Sequence, residues 1–162
     1  MNSTKTNSVK TKCKTQMING VLHDDTATNL YEYLLNVIEW EDGVKSRSGF
    51  TRKAKALNVG DDECIDSVIA TVLPKFNKGY IVMGIYLNYY ADGTHYTPNH
   101  SHKGTHQLVI SLGATRILTI GKKEYYMNNG DAILFGTSIH GVPKDETVTE
   151  GRISIATFML PI

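Results

Sequence analysis

A chain of 162 residues, 41% hydrophobic and 20% charged, suits one soluble globular domain with a single core. A formal net charge of +1 rules out a strong whole-molecule field of the kind that drives nucleic-acid binding. Cys13 and Cys64 are the only cysteines, too few for a disulfide framework or a thiolate metal site.

Residues 1–15 are rich in Ser, Thr, Asn and Lys and read as a disordered basic tail carrying Lys5, Lys10, Lys12 and Lys14. The tail lacks an apolar signal-peptide core, and no run is apolar enough to span a bilayer. An intracellular setting is therefore expected. Residues 16–162 read as one domain. Met17 to His23 is a short apolar piece broken by Asn19-Gly20. Asp24 and Asp25 offer N-caps to a helix whose Leu30, Leu34, Val37 and Ile38 fall at helical spacing, and Glu41-Asp42-Gly43 ends it. Arg47 to Val59 is mixed and extended, with a second basic cluster at Arg47, Arg52, Lys53 and Lys55. That cluster reads as a solvated strand edge or as a surface that tracks phosphates. Asp61-Asp62 caps a second helix bearing Ile65, Val68, Ile69 and Val72, which Pro74 ends or kinks.

From Tyr80 the pattern changes to strands. The segments are Ile81–Tyr90, Gln107–Leu112, Arg116–Ile120, Lys123–Met127, Ala132–Phe135 and Arg152–Leu160, separated by turns such as Asp92-Gly93 and Asn128-Asn129-Gly130. Helices followed by many short strands predict an α+β fold with a closed or sandwiched sheet.

The chemistry-bearing residues lie in this second part. His100 and His102 are spaced i and i+2, which puts both imidazoles on one face of an extended strand. His140 follows a turn–strand–turn unit, Gly130 to Gly136, and can close a three-histidine metal face with open positions. Arg152 and Ser154 share a strand face, and the arginine's planar fork suits a carboxylate. Asn88 and Tyr90 share another face and can donate hydrogen bonds to the same ligand. Each of these residues has an ordinary structural role as its alternative: a surface histidine, a strand end, a packed aromatic. Asn99, Lys103 and Arg116 fall either at a pocket border or on the surface.

In order and spacing, Asn88-Tyr89-Tyr90-Ala91-Asp92-Gly93, His100-Ser101-His102, Ser111 to Arg116, Gly130-Asp131 with His140, and Arg152-Ile153-Ser154 resemble the AlkB-like iron(II)/2-oxoglutarate-dependent oxygenases. Ile38-Glu39-Trp40 and Phe76-Asn77 echo the same family more faintly. The resemblance implies a double-stranded β-helix, or jelly roll, backed by two N-terminal helices. It implies Fe(II) on His100, His102 and His140, and 2-oxoglutarate held by Arg152 with Asn88, Tyr90 and Ser154. With dioxygen, such a site hydroxylates an alkyl C–H bond, in this family often on a methylated nucleobase that is thereby demethylated, so nucleic acid is a candidate substrate. The chain departs from the family at His102, where the motif has Asp, and at Phe158, where a second arginine is expected. Two rival readings remain. In a cupin-like three-histidine metalloprotein acting without 2-oxoglutarate, His106 would join the metal site. In a binding relative, the chemistry would have been lost.

Overall fold

The computed structural model describes residues 13–47, 49–76 and 78–162. The tail expectation for residues 1–12 lies outside them. Residues 13–15 run directly into strand β1 (Gln16–Ile18), and Cys13 packs against the core.

Helix α1 (Asp24–Val37) buries Ala27, Leu30 and Leu34 on one stripe, as the spacing predicts. Its boundaries differ from expectation. His23 is the N-cap and makes no side-chain cap, while Asp24 and Asp25 lie inside the first turn, where carboxylates favour the helix dipole. Ile38 is already extended, and Glu41–Asp42 form strand β2 instead of a helix end. A small hairpin, β3 (Lys45–Ser46) with β4 (Gly49–Phe50), leads to β5 (Lys53–Leu57). Helix α2 (Glu63–Val72) is capped by Asp62, whose carboxylate accepts the Ile65 N–H at 2.9 Å, and Pro74 sits in the 3-10 turn that follows.

The remaining strands are β6 (Tyr80–Tyr90), β7 (Thr97–His100), β8 (His106–Gly113), β9 (Arg116–Ile120), β10 (Lys123–Met127), β11 (Ala132–Phe135), β12 (His140–Val142) and β13 (Arg152–Pro161). They form a seven-stranded sheet, β1-β11-β8-β13-β6-β5-β2, facing a four-stranded sheet, β10-β9-β12-β7. Every pairing is antiparallel. This is the expected double-stranded β-helix. The spacing of His100 and His102 implies an extended segment there, but the sequence pattern bounds neither β7 nor β12, because Thr97–His100 contains Pro98 and His140–Val142 is only three residues long.

The large sheet is buried on both faces. Leu108, Ile110, Leu112, Ile153 and Ile155 meet Leu30, Leu34, Ile65 and Ile69 of the helices. Val109, Ile133, Phe135 and Ala156 meet Leu118, Ile120 and Val142 of the small sheet. Double burial explains why β8 and β13 are almost continuously buried and lack polar alternation. Gly113 has φ +84°, and a Cβ there would lie 2.6 Å from the Gly151 carbonyl oxygen and 3.0 Å from the Tyr31 ring, so a side chain would push α1 off the sheet end. No helix among the described residues is long and apolar enough to cross a membrane.

Candidate metal centre and carboxylate cavity

The three histidines converge. His100 ends β7 and His140 begins β12, and the two are direct partners across that ladder. Their ring centroids are 4.3 Å apart. His102 lies in the loop just past β7, not on the strand as its spacing from His100 predicts, yet its ring is 4.9 Å from His100 and 5.6 Å from His140. One ring nitrogen from each falls within 4.8 Å of the others. The close approach of β7 and β12 favours Gly141, where a Cβ would sit 2.9 Å from the Thr97 carbonyl oxygen and 3.1 Å from the Asn99 backbone nitrogen.

The backbone sets the tautomers. His100 Nδ1 lies 2.8 Å from the Pro98 carbonyl oxygen, and His140 Nδ1 lies 2.9 Å from that of Ser138. A carbonyl only accepts, so each Nδ1 carries a proton and donates it there, which leaves Nε2 as the atom on each ring available to ligate a metal. Burial pushes the pKa of His140 down to about 4, and burial next to His100 also lowers His102. Both rings are therefore neutral at pH 7, as ligation requires. His102 meets Phe158 edge-on at 4.9 Å, so an aromatic contact stands where the motif carries charged groups.

The same rings open into a cavity of about 270 Å³ between the sheets. On its large-sheet wall are Tyr86, Asn88 and Tyr90 from β6 and Arg152, Ser154, Ala156 and Phe158 from β13. Antiparallel register sets Tyr90 opposite Arg152 and Asn88 opposite Ser154. All four expected co-substrate residues thus share one cavity with the histidines.

Arg152 is 1% exposed, and burial depresses its pKa to about 10. Its Nε donates to Ser111 Oγ at 2.8 Å, and its guanidinium stacks 5.4 Å from the Tyr90 ring. Both terminal nitrogens, Nη1 and Nη2, are buried without a hydrogen-bond partner. Burying unpaired donors of a cation costs several kcal/mol, which a carboxylate ligand removes. A small metal ion at three imidazoles and a carboxylate at this fork are therefore what these residues fit.

The remaining polar groups are mostly committed. Tyr90 Oη and Thr97 Oγ1 are 2.6 Å apart, so any hydrogen bond from Tyr90 to a ligand is shared with Thr97. Asn88 accepts from Arg52 Nε at 2.6 Å through Oδ1 and donates to Ser154 Oγ at 3.2 Å. Arg52, which the sequence groups with surface lysines, is 7% exposed and lines the cavity. Lys53 and Lys55 pair with Asp42 and Glu41. Of the four members of the basic cluster, Arg52 points inward, Lys53 and Lys55 form surface ion pairs, and Arg47 is exposed.

Two further expectations are corrected. His106 lies on the face of β8 opposite Gln107, which lines the cavity, and its Nδ1 is 2.9 Å from Tyr80 Oη. It is outside the histidine cluster, which removes the role the cupin-like reading assigns to it. Arg116 is a buried structural cation that donates to the carbonyls of Asp92, His95 and Pro143 at 3.1, 2.8 and 2.8 Å. Arg116→Met is expected to remove a charged donor from all three carbonyls, of which Asp92 keeps the His95 N–H at 3.3 Å, and to lower stability by about 3 kcal/mol, read as a reduced urea midpoint at unchanged m-value.

No family model and no curated protein matches this sequence. Solved structures do. A collagen prolyl hydroxylase of Paramecium bursaria Chlorella virus-1, determined with 2-oxoglutarate, superposes with a TM-score of 0.63 at 14% identity, over 90% of this chain and 94% of that one. A Pseudomonas putida prolyl-4-hydroxylase gives 0.61 at 13% identity, over 90% and 91%. The non-haem α-ketoglutarate-dependent carbocyclase SnoK of nogalamycin biosynthesis gives 0.72 at 10% identity, over 90% and 79%. The chain therefore has the double-stranded β-helix fold found in 2-oxoglutarate-dependent oxygenases, with a three-histidine cluster inside it.

Proposed function

We propose that this protein is an iron(II)/2-oxoglutarate-dependent oxygenase that hydroxylates an alkyl C–H bond. The observation that carries the reading is the pair of buried, unpartnered Arg152 nitrogens in the cavity that the three histidines share. His100, His102 and His140 would hold the metal, and Arg152 would take the distal carboxylate of 2-oxoglutarate. When bound, iron and 2-oxoglutarate supply the oxidising power for C–H hydroxylation with dioxygen. Ser111 holds the guanidinium in place, and Tyr90 braces its face. Val109, Leu118, Val142 and Ala156 line the cavity with apolar surface that excludes water from the reaction.

Within this class, the AlkB-like reading, demethylation of a nucleobase, draws on the sequence motifs. The committed charges of Lys53 and Lys55 favour a small substrate over a polyanion. The deciding experiment is succinate detection with iron, ascorbate and dioxygen. Methylated oligonucleotides and small organic acids serve as the substrate panels. Oligonucleotide-dependent succinate, with binding that weakens steeply with salt, would establish the nucleobase reading. Bound iron and 2-oxoglutarate with neither succinate nor oxygen uptake, even uncoupled, would show a binding relative instead. Failure to bind 2-oxoglutarate at all would overturn the proposal and favour the cupin-like alternative.

A further inference from the structure

The cavity holds a second buried guanidinium that the scheme above does not use. Arg52 is built into its wall by its backbone: Gly43 N–H donates to the Arg52 carbonyl at 2.7 Å, and the neighbouring Thr51 N–H donates to Val44. A Cβ at Gly43 would stand 2.4 Å from that same carbonyl oxygen, so the tie admits only glycine. The side chain then turns inward. Nε is spent on Asn88 Oδ1, and Nη1 reaches only the Thr51 hydroxyl at 3.0 Å. Among the described residues, Nη2 makes no hydrogen bond, and no carboxylate lies within ion-pair distance of Arg52.

The cavity is thus short of anions twice over. Arg152 and Arg52 both line it, and among the described residues no acidic side chain does. The oxygenase reading assigns one carboxylate, that of 2-oxoglutarate, to Arg152, and the present inference builds on that assignment. One positive charge then remains, at Arg52. It lies on the side of Val44, a lining residue that is 62% exposed, and so toward solvent. From Asn88, which holds Arg52, the strand register leads along the cavity wall through Tyr86 and Ala156 to Phe158, whose ring meets His102. In such surroundings an ion pair is screened little, and a single cation is matched best by a monoanion with a flat fork of two oxygens.

We infer that Arg52 determines substrate specificity: it holds the carboxylate of a small substrate whose apolar body lies along Tyr86, Ala156 and Phe158 toward the histidines. The substrate class is a monocarboxylic acid with an aliphatic or aryl body.

The test is a thermal-shift titration of the whole protein with Zn²⁺ as a redox-inert metal, with and without saturating 2-oxoglutarate. The probes are hexanoate and phenylacetate, their primary amides, and phenyl phosphate. The wild type should bind the acids at least tenfold more tightly than the amides. Arg52→Gln, which keeps a donor for Asn88, should bring acid and amide within twofold, while its affinity for 2-oxoglutarate stays within threefold of wild type. Arg52→Lys should retain part of the preference, which excludes misfolding as the cause. The inference fails if Arg52→Gln weakens 2-oxoglutarate tenfold or more, since Arg52 would then anchor the co-substrate. It also fails if acid and amide bind the wild type equally, if Arg52→Gln keeps the preference, or if phenyl phosphate binds more tightly than both acids. If 2-oxoglutarate does not bind the wild type but the acid preference is present and vanishes in Arg52→Gln, the oxygenase reading falls and the Arg52 site stands.

Discussion

Arg152→Met is expected to abolish 2-oxoglutarate binding while leaving the ligand-free protein as stable as wild type or more so. The two effects have one origin. In the free protein the guanidinium is fully buried and its two Nη atoms have no partner, so the fold bears the cost of desolvating a charge. Replacing such a group by an apolar side chain of similar length is neutral or stabilising, by up to about 4 kcal/mol. In the complex the same nitrogens would make two charge-assisted hydrogen bonds to the carboxylate. Losing one partner of a buried charge pair costs about 2–5 kcal/mol, or roughly 30- to 5,000-fold in affinity. Calorimetry with 2-oxoglutarate and urea denaturation of the free protein measure the two effects separately. Wild-type-like affinity in the variant would remove Arg152 from the co-substrate site, and with it the central support of the oxygenase reading.

His140→Ala is expected to have the next largest effect. A structural zinc site with four ligands binds with about 10–16 kcal/mol, so one imidazole accounts for roughly 3 kcal/mol, or about two orders of magnitude in affinity. Competition of Zn²⁺ or Co²⁺ with a chromophoric chelator reads this loss directly. The variant also changes how stability depends on pH. Burial holds His140 at about 4 in the folded protein, against an ordinary value of 6.5. Between those values the unfolded chain binds a proton at residue 140 that the folded chain does not. The metal-free wild type therefore loses stability as pH falls from about 6.5 to about 4, by up to about 3 kcal/mol for this buried ring. His102, also lowered, adds to the same slope. In His140→Ala the loss between pH 7 and pH 5 should shrink clearly. An unchanged slope in urea midpoints across that range would show that His140 is not held neutral by burial.

Much of the site is legible from strand geometry. A period of two puts Asn88 with Tyr90 and Arg152 with Ser154 on common faces, and the ladder between β6 and β13 preserves both pairs opposite each other. The helices were readable from their apolar stripes, although α1 is shorter than its periodicity suggests because Ile38 turns extended and Trp40 packs on Tyr89 of the sheet. The convergence of the histidines was readable only as a possibility. His100 and His140 are forty positions apart, and β7 and β12 are too short for the pattern to fix their ends or their pairing.

The basic segment Arg52 to Lys55 shows where local pattern stops. Alternation alone separates residue 52 from 53 and 55, since successive side chains leave a strand on opposite faces. It does not say which face turns inward. The pairing of β5 with β6 settles that, placing Ala54 beside Asn88 and Arg52 within reach of its amide, while Lys53 and Lys55 face Asp42 and Glu41. His106 is the converse case. Proximity in the chain suggests a fourth ligand, but it leaves β8 on the helix side, beside Tyr80. Periodicity is a property of the local backbone and can be read from one chain. The choice of inner face belongs to strand register between distant segments, where a shift of one residue exchanges every inward side chain for an outward one. The amino-acid order therefore specified the ligand types and, for Asn88, Tyr90, Arg152 and Ser154, their shared strand faces. Long-range pairing decided which cations became cavity and which became surface.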